Sequence, residues 1–124
     1  MESAIKNVLG TPLCACCHQP KTGFYRDGYC KTGDEDVGTH VVCAIMSKEF
    51  LDYTKSMGND LSTPIPLWNF PGLQEGDKWC LCISRWLQAE RAGKAPKVLL
   101  EATHIKALNY TSLEVLRAYA VESQ

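Results

Sequence analysis

The segment GDKWCLCISRW, residues 76–86, constrains the fold more than any other stretch. A Gly-Asp turn launches the apolar run Trp79-Cys80-Leu81-Cys82-Ile83, and the period then changes into Ser84-Arg85-Trp86-Leu87. A buried strand feeding straight into a helix satisfies that pattern. Side chains alternate along a strand, so Cys80 and Cys82 are expected on one face, with Cα atoms about 6.5 Å apart. That separation lies near the upper limit for a direct disulfide.

Cysteine is also the outlier in composition. The chain holds seven, at 14, 16, 17, 30, 43, 80 and 82. An odd number does not pair completely within one chain. The opening residues MESAIKNVLGTPL lack a basic start and a sustained apolar stretch, so no secretory signal is expected. Together these features predict a cytoplasmic protein whose cysteines are mostly thiols or ligands. Cys16, Cys30 and Cys43 are candidates to converge on Cys80 and Cys82, and five such sulfurs offer a site for zinc, which takes three or four soft ligands. Inert core thiols and a reactive thiol at Cys82 are the competing readings. The compact CACCH run at 14–18 contributes little, because adjacent Cys16 and Cys17 point apart in extended chain.

Three further stretches set the expected architecture. THVVCAIM at 39–46 is a nearly continuous β-branched run, the pattern of a strand covered on both faces. Ser47 caps a following helix with Glu49 in its first turn, an inward stripe of Phe50, Leu51, Thr54 and Met57, and a stop at Gly58. KVLLEAT at 97–103 reads as a third core strand, and Thr111 with Glu114 has capping-box spacing for a last helix bearing Leu113, Leu116 and Ala120. Between them, residues 58–77 are broken by Gly58, Pro64, Pro66, Pro71, Gly72 and Gly76. They predict a packed covering loop or a lid, pinned by Leu67, Trp68, Phe70 and Leu73. Asp27-Gly28 between aromatic segments signals an N-terminal β-hairpin, with Tyr25 facing Cys30. Helices placed between strands imply crossovers. The expected fold is therefore α/β: a small, mostly parallel three-stranded core sheet with packed helices behind that hairpin, with α+β as the alternative. One domain over residues 1–124 is expected from the length.

A parallel sheet gathers ligands beyond the carboxyl ends of its strands. On that topology Ser47, Ser84 with Arg85, and His104 share one edge, where helix N-termini favour a small anionic molecule. Arg85 supplies a donor fork and His104 a proton exchanger near neutral pH. With Cys82 they form the candidate catalytic set. Arg26, Asp27, His40, Asn59 and Asp60 are further polar candidates for ligand binding. Hydrophobic residues make up 45% and the net charge is −1, which argues against disorder and against an electrostatic nucleic-acid or membrane binder. No apolar run is long enough to span a bilayer. No GxSxG elbow, phosphate loop, dinucleotide fingerprint or HExxH is present, so whether the chain is an enzyme stays open.

Several of these stretches together resemble an uncharacterised, mostly bacterial family, domain of unknown function 2237. The matching segments are NVLG (7–10), TGFYRDGYC (22–30), Gly38 through His40 to Cys43, and GNDLSTP (58–64). FPGL (70–73), GDKWCLC with Arg85-Trp86, and ATH (102–104) complete the set. The resemblance covers nearly the whole chain. It implies a single soluble domain and places Cys16, Cys30, Cys43, Cys80 and Cys82 within the family pattern, with Cys14 and Cys17 as additions. It supplies no activity. Two functional readings follow from the residues, a metal-binding or redox-active cysteine centre and a binder or enzyme for a small anion. A structural or partner-binding domain, with an apolar patch exposed around Trp68 or Phe70, is the third.

Overall fold

The computed structural model describes residues 5–16, 28–33, 36, 39–68, 70 and 72–121, with the Trp68 side chain left out. The sheet is built on β1 (His40–Ile45), whose four central residues are all buried, as a strand covered on both faces requires. β2 (Lys78–Cys82) pairs with it through Val42–Leu81, Cys43–Cys80, Ala44–Trp79 and Ile45–Lys78. β3 (Lys97–Val98) lies on its other side, giving the order β2-β1-β3.

Both pairings are antiparallel, which overturns the mostly parallel sheet. The fold is α+β. The reason lies in where the chain returns after β1. Helix α1 (Lys48–Ser56) and the loop behind it leave the sheet at Met46 and come back to Met46. Met46 N donates to Asp77 O at 2.7 Å, and Gly76 N donates to Met46 O at 2.8 Å. An excursion that closes on its own starting point produces a wide hairpin, not a crossover. Helix α2 (Ile83–Arg91) does carry the chain from β2 to β3, which run in the same direction, but β1 lies between them and opposes both.

The third strand is much shorter than KVLLEAT predicts. After Val98 the chain still follows β1, with Leu99 N bonded to Cys43 O and His104 N to Val41 O, but a 3₁₀ turn (Leu100–Ala102) is inserted between those contacts. Thr103 fills the gap. Its Oγ1 accepts from Cys43 N at 3.2 Å and donates to Leu99 O at 2.8 Å, so the displaced strand group keeps a partner.

Helix α1 has the expected cap, Ser47 Oγ accepting from Phe50 N at 3.1 Å. Phe50, Leu51 and Thr54 are buried, whereas Met57 sits at the C-cap and is exposed. Helix α3 (Leu113–Ala118) is capped by Ser112, one residue later than the Thr111 spacing suggested. The main core joins Val41, Val42, Phe50, Leu81, Trp86 and Leu116, and Trp86 Nε1 donates to Pro96 O at 3.2 Å. Burying Phe50 alone contributes about 3 kcal/mol.

The 58–77 segment is a packed cover. Phe70 and Leu73 are buried, and the Phe70 ring meets Trp79 edge-on at 5.2 Å. Gly72 has φ +80, and a Cβ there would lie 2.5 Å from Ser62 O, so only glycine fits. Leu67 is not a pin, being 88% exposed. Phe70 itself is inside and does not contribute to the exposed apolar patch expected around Trp68 or Phe70. No helix among the described residues is long and apolar enough to cross a membrane. Of the expected N-terminal hairpin, Gly28 has φ 91, while Tyr25, Arg26 and Asp27 lie outside the described residues.

Candidate functional site: a buried sulfur layer and a polar sheet end

Strand register creates the first constellation. Cys43 and Cys80 are cross-strand partners, so their side chains leave the sheet on the same face. Two loops close over that face. The 5–16 arm brings Cys16, positioned by its backbone N–H on Gly28 O at 2.6 Å, and the segment after Gly28 brings Cys30. The sulfurs join as Cys16–Cys43 and Cys30–Cys80, with Cα separations of 5.7 and 5.2 Å. The sulfurs of Cys16, Cys30 and Cys80 all lie within 4.8 Å of one another. All four residues are buried, and with Ala102 and Leu99 they form a cluster separate from the main core.

Two sequence expectations change here. Four cysteines are paired where thiols or ligands were expected, because the face of β1 and β2 is covered by loops whose own cysteines reach bonding distance. Cys82 stands apart from the layer. β2 ends at this residue, which becomes the N-cap of α2, and a bulge lies opposite between His40 and Val42, so strict alternation stops before Cys82. Its Sγ lies 3.0 Å from Ser84 Oγ, and it is a half-buried free thiol. Cys14 is free and exposed; Cys17 and His18 lie outside the described residues.

The antiparallel topology also redraws the polar edge. Ser47 follows the far end of β1 and is occupied as a helix cap. The end where β1 begins instead gathers His40, Cys82 with Ser84, and His104. His40 is the register partner of Cys82. Its ring Nδ1 lies 2.6 Å from Oδ1 of Asp36, a residue with a fully buried carboxylate. The other Asp36 oxygen accepts from His40 N at 2.8 Å and Thr32 Oγ1 at 3.0 Å. Burial alone would raise the Asp36 pKa, but these bonds and the neighbouring imidazole outweigh it and hold the carboxyl below its ordinary range. Thr39, just before β1, has φ 51, an unusual conformation for a β-branched residue. It turns the chain so that Asp36 and His40 meet, and its carbonyl accepts from Ile83 N, the first amide of α2.

The remaining candidates make hydrogen bonds within the chain. Arg85 donates to Met57 O at 3.1 Å and Gln88 Oε1 at 3.2 Å, tying α2 to the end of α1. Asn59 Nδ2 donates to Thr54 Oγ1, and exposed Asp60 accepts from Ser62 N, Thr63 N and Thr63 Oγ1. His104 caps the 3₁₀ helix Ile105–Asn109, with Nδ1 accepting from Lys106 N at 3.0 Å, so its proton sits on Nε2 when neutral. Burial first, and then the Lys106 charge, lower its pKa from 6.5.

Acid sensitivity in two windows follows. His104 is harder to protonate folded than unfolded, so its contribution is whole above pH 6.5 and declines as pH falls through its lowered folded value. Asp36 has a depressed folded pKa, so its contribution is whole above 3.8 and is lost only below that. Denaturant titrations across pH should show both declines. His104→Asn, which retains an acceptor for Lys106 N, is expected to remove only the upper one; an unchanged upper decline would assign it elsewhere.

Asp36 carries no sequence signal beyond the acidic stretch GDEDVG at 33–38, and Thr39, which the pattern puts in the strand 39–46, instead turns the chain just before it. A family model described as an uncharacterised protein conserved in bacteria, DUF2237, matches residues 6–120, and the chain belongs to that family. No curated protein matches it.

Proposed function

We propose that, in this member of an uncharacterised family, the sulfur layer is a redox-responsive centre: two disulfides when oxidised, a zinc tetrathiolate when reduced. The observation that carries the reading is the mutual 4.8 Å proximity of the Cys16, Cys30 and Cys80 sulfurs, with Cys43 bonded into the same group. Zinc–sulfur bonds of about 2.3 Å put the sulfurs of a tetrahedron about 3.8 Å apart. The two bonded pairs would open to that distance, and Cys43, which lies outside the three-sulfur group, would have to close on the Cys30–Cys80 pair. A dithiol reductant supplies four electrons and four protons to give four thiols, and zinc binding then releases the thiol protons.

The test is metal content and thiol titration of protein purified anaerobically under reducing conditions without added zinc. About one zinc per chain is expected, with the four layer thiols protected until a chelator is added. Reduced protein that stays folded, holds no metal and keeps its thiols silent until denaturation would sink the proposal.

Full burial of all four sulfurs favours a second reading, in which the disulfides are static braces. It predicts that both bridges survive purification and that zinc does nothing for the reduced chain.

A further inference from the structure

We propose that the sulfur layer is an internal disulfide exchanger: once the Cys16–Cys43 bridge opens, the Cys16 thiol attacks Cys30–Cys80, and the remaining disulfide migrates among Cys16, Cys30 and Cys80. This exchange rests on the redox reading of the layer and not on its zinc form. The sulfurs of these three residues lie within 4.8 Å of one another, although the bond within the group joins only Cys30 and Cys80. Cys16 therefore stands beside a bridge that is not its own, across a gap that small side-chain rotations close. Thiol–disulfide exchange needs a thiolate beside a disulfide sulfur and nothing more.

Both sides of that contact are held by bonds other than the bridges. Cys16 N donates to Gly28 O at 2.6 Å and Cys14 N to Glu101 O at 2.9 Å, while buried Asn7 fixes the start of the same arm. Cys43 and Cys80 are held by the pairing of β1 with β2. Opening Cys16–Cys43 thus leaves the Cys16 thiol in place. That opening takes two electrons and two protons from an external dithiol, which becomes a disulfide. In the exchange step Cys16 gives up its proton, its Sγ bonds to the sulfur of Cys30 or Cys80, and the Cys30–Cys80 bond breaks. The departing thiolate takes up the proton, so the step consumes no oxidant or reductant. Attack at Cys30 has the larger consequence. Cys16–Cys30 ties the arm to the segment after Gly28 and leaves Cys43 and Cys80 as cross-strand thiols. Half-reduction thereby converts two braces on the sheet into one link within its cover.

The test uses the metal-free full chain with Cys14, Cys17 and Cys82 replaced by serine, the last a good residue for the N-cap position it occupies. In that background Cys43→Ser leaves three layer cysteines that include Cys16, and Cys16→Ser leaves three that do not. Both variants lose the same bridge. Each is checked for folding by circular dichroism, held at mildly alkaline pH, quenched in acid, digested with pepsin and mapped by mass spectrometry. Cys43→Ser should shift from Cys30–Cys80 alone to a mixture containing Cys16–Cys30 or Cys16–Cys80, whereas Cys16→Ser should keep Cys30–Cys80. With all four layer cysteines present, partial reduction by a limiting dithiol and the same quench read the exchange in a chain folded beforehand. One-bridge molecules should then carry Cys16–Cys30 or Cys16–Cys80. One-bridge molecules holding only the original pairs, folded Cys43→Ser with Cys30–Cys80 untouched, or equal exchange in the two variants would overturn the proposal. No metal is present in any arm, so a failure of zinc binding leaves these outcomes unchanged, and a failure of exchange leaves zinc uptake by the fully reduced chain unchanged.

Discussion

Reducing both disulfides in the absence of metal is expected to remove most of the folding stability of this protein. The Cys30–Cys80 bridge spans a sequence separation of 50, and chain-entropy arithmetic gives it about 4 kcal/mol; Cys16–Cys43, at a separation of 27, comes to about 3.5 kcal/mol. The two loops interleave along the chain, so the second closure constrains a chain already shortened by the first, and their joint effect is smaller than the sum. Even so, domains of this size have total stabilities of only about 5–15 kcal/mol. Urea titrations should therefore show a large fall in midpoint on reduction with a chelator present. Zinc added to the reduced protein should restore much of it, because a metal that binds only the folded cluster adds its binding energy to folding. A midpoint indifferent to reduction would mean that the layer braces nothing. A fall that zinc leaves unrepaired favours static disulfides.

How much of this was legible beforehand depends on the range of the signal. The strand-to-helix switch at 76–86 and the buried strand at 39–46 are local hydrophobic patterns, and both β2 feeding α2 and β1 appear where those patterns lie. Direction of pairing is not local. It was set by Met46 bonding to Gly76 and Asp77, two contacts that cross a helix and a long loop. Pairing direction also decides which residues share a sheet end: a parallel sheet would put Ser47 beside Ser84 and His104, whereas the antiparallel sheet puts His40 there. Convergence of Cys16, Cys30, Cys43 and Cys80 was legible because alternation and cysteine count both pointed to it. The departure of Cys82 was not, since it follows from a bulge and a helix start at the very residue where alternation was being extrapolated. Asp36 was invisible for a similar reason. An acidic residue in a loop reads as solvated until a left-handed turn at Thr39 buries it under a histidine.

Asn7→Ala is expected to cost about 3 kcal/mol, although residue 7 touches none of the chemistry. Asn7 is completely buried, and its amide is the knot of the N-terminal arm. Nδ2 donates to Thr11 Oγ1 at 2.8 Å, Glu101 O at 3.0 Å and Pro12 O at 3.2 Å. Oδ1 accepts from Leu9 N at 2.9 Å and Thr11 N at 3.0 Å. Alanine would remove the acceptor of two backbone amides, Leu9 N and Thr11 N, and one donor to Pro12 O, while Glu101 O keeps Cys14 N; each lost partner costs about 1–3 kcal/mol, with partial relaxation and hydration bringing the total down. Asn7→Asp separates the two halves of the knot: it keeps the acceptor for Leu9 and Thr11 but turns a carboxylate oxygen on the Pro12 and Glu101 carbonyls. That variant should be about as unstable at neutral pH and recover partly in mild acid, where a protonated carboxyl regains one donor. The arm also holds Val8 N on Thr103 O and Cys14 N on Glu101 O, and it ends by delivering Cys16 to the sulfur layer. Loosening it should therefore speed reduction of Cys16–Cys43 by a dithiol more than that of Cys30–Cys80, measurable by alkylation and mass spectrometry. Equal acceleration of the two bridges, or a stability loss under about 1 kcal/mol, would mean that Asn7 does not anchor the arm on which the layer depends.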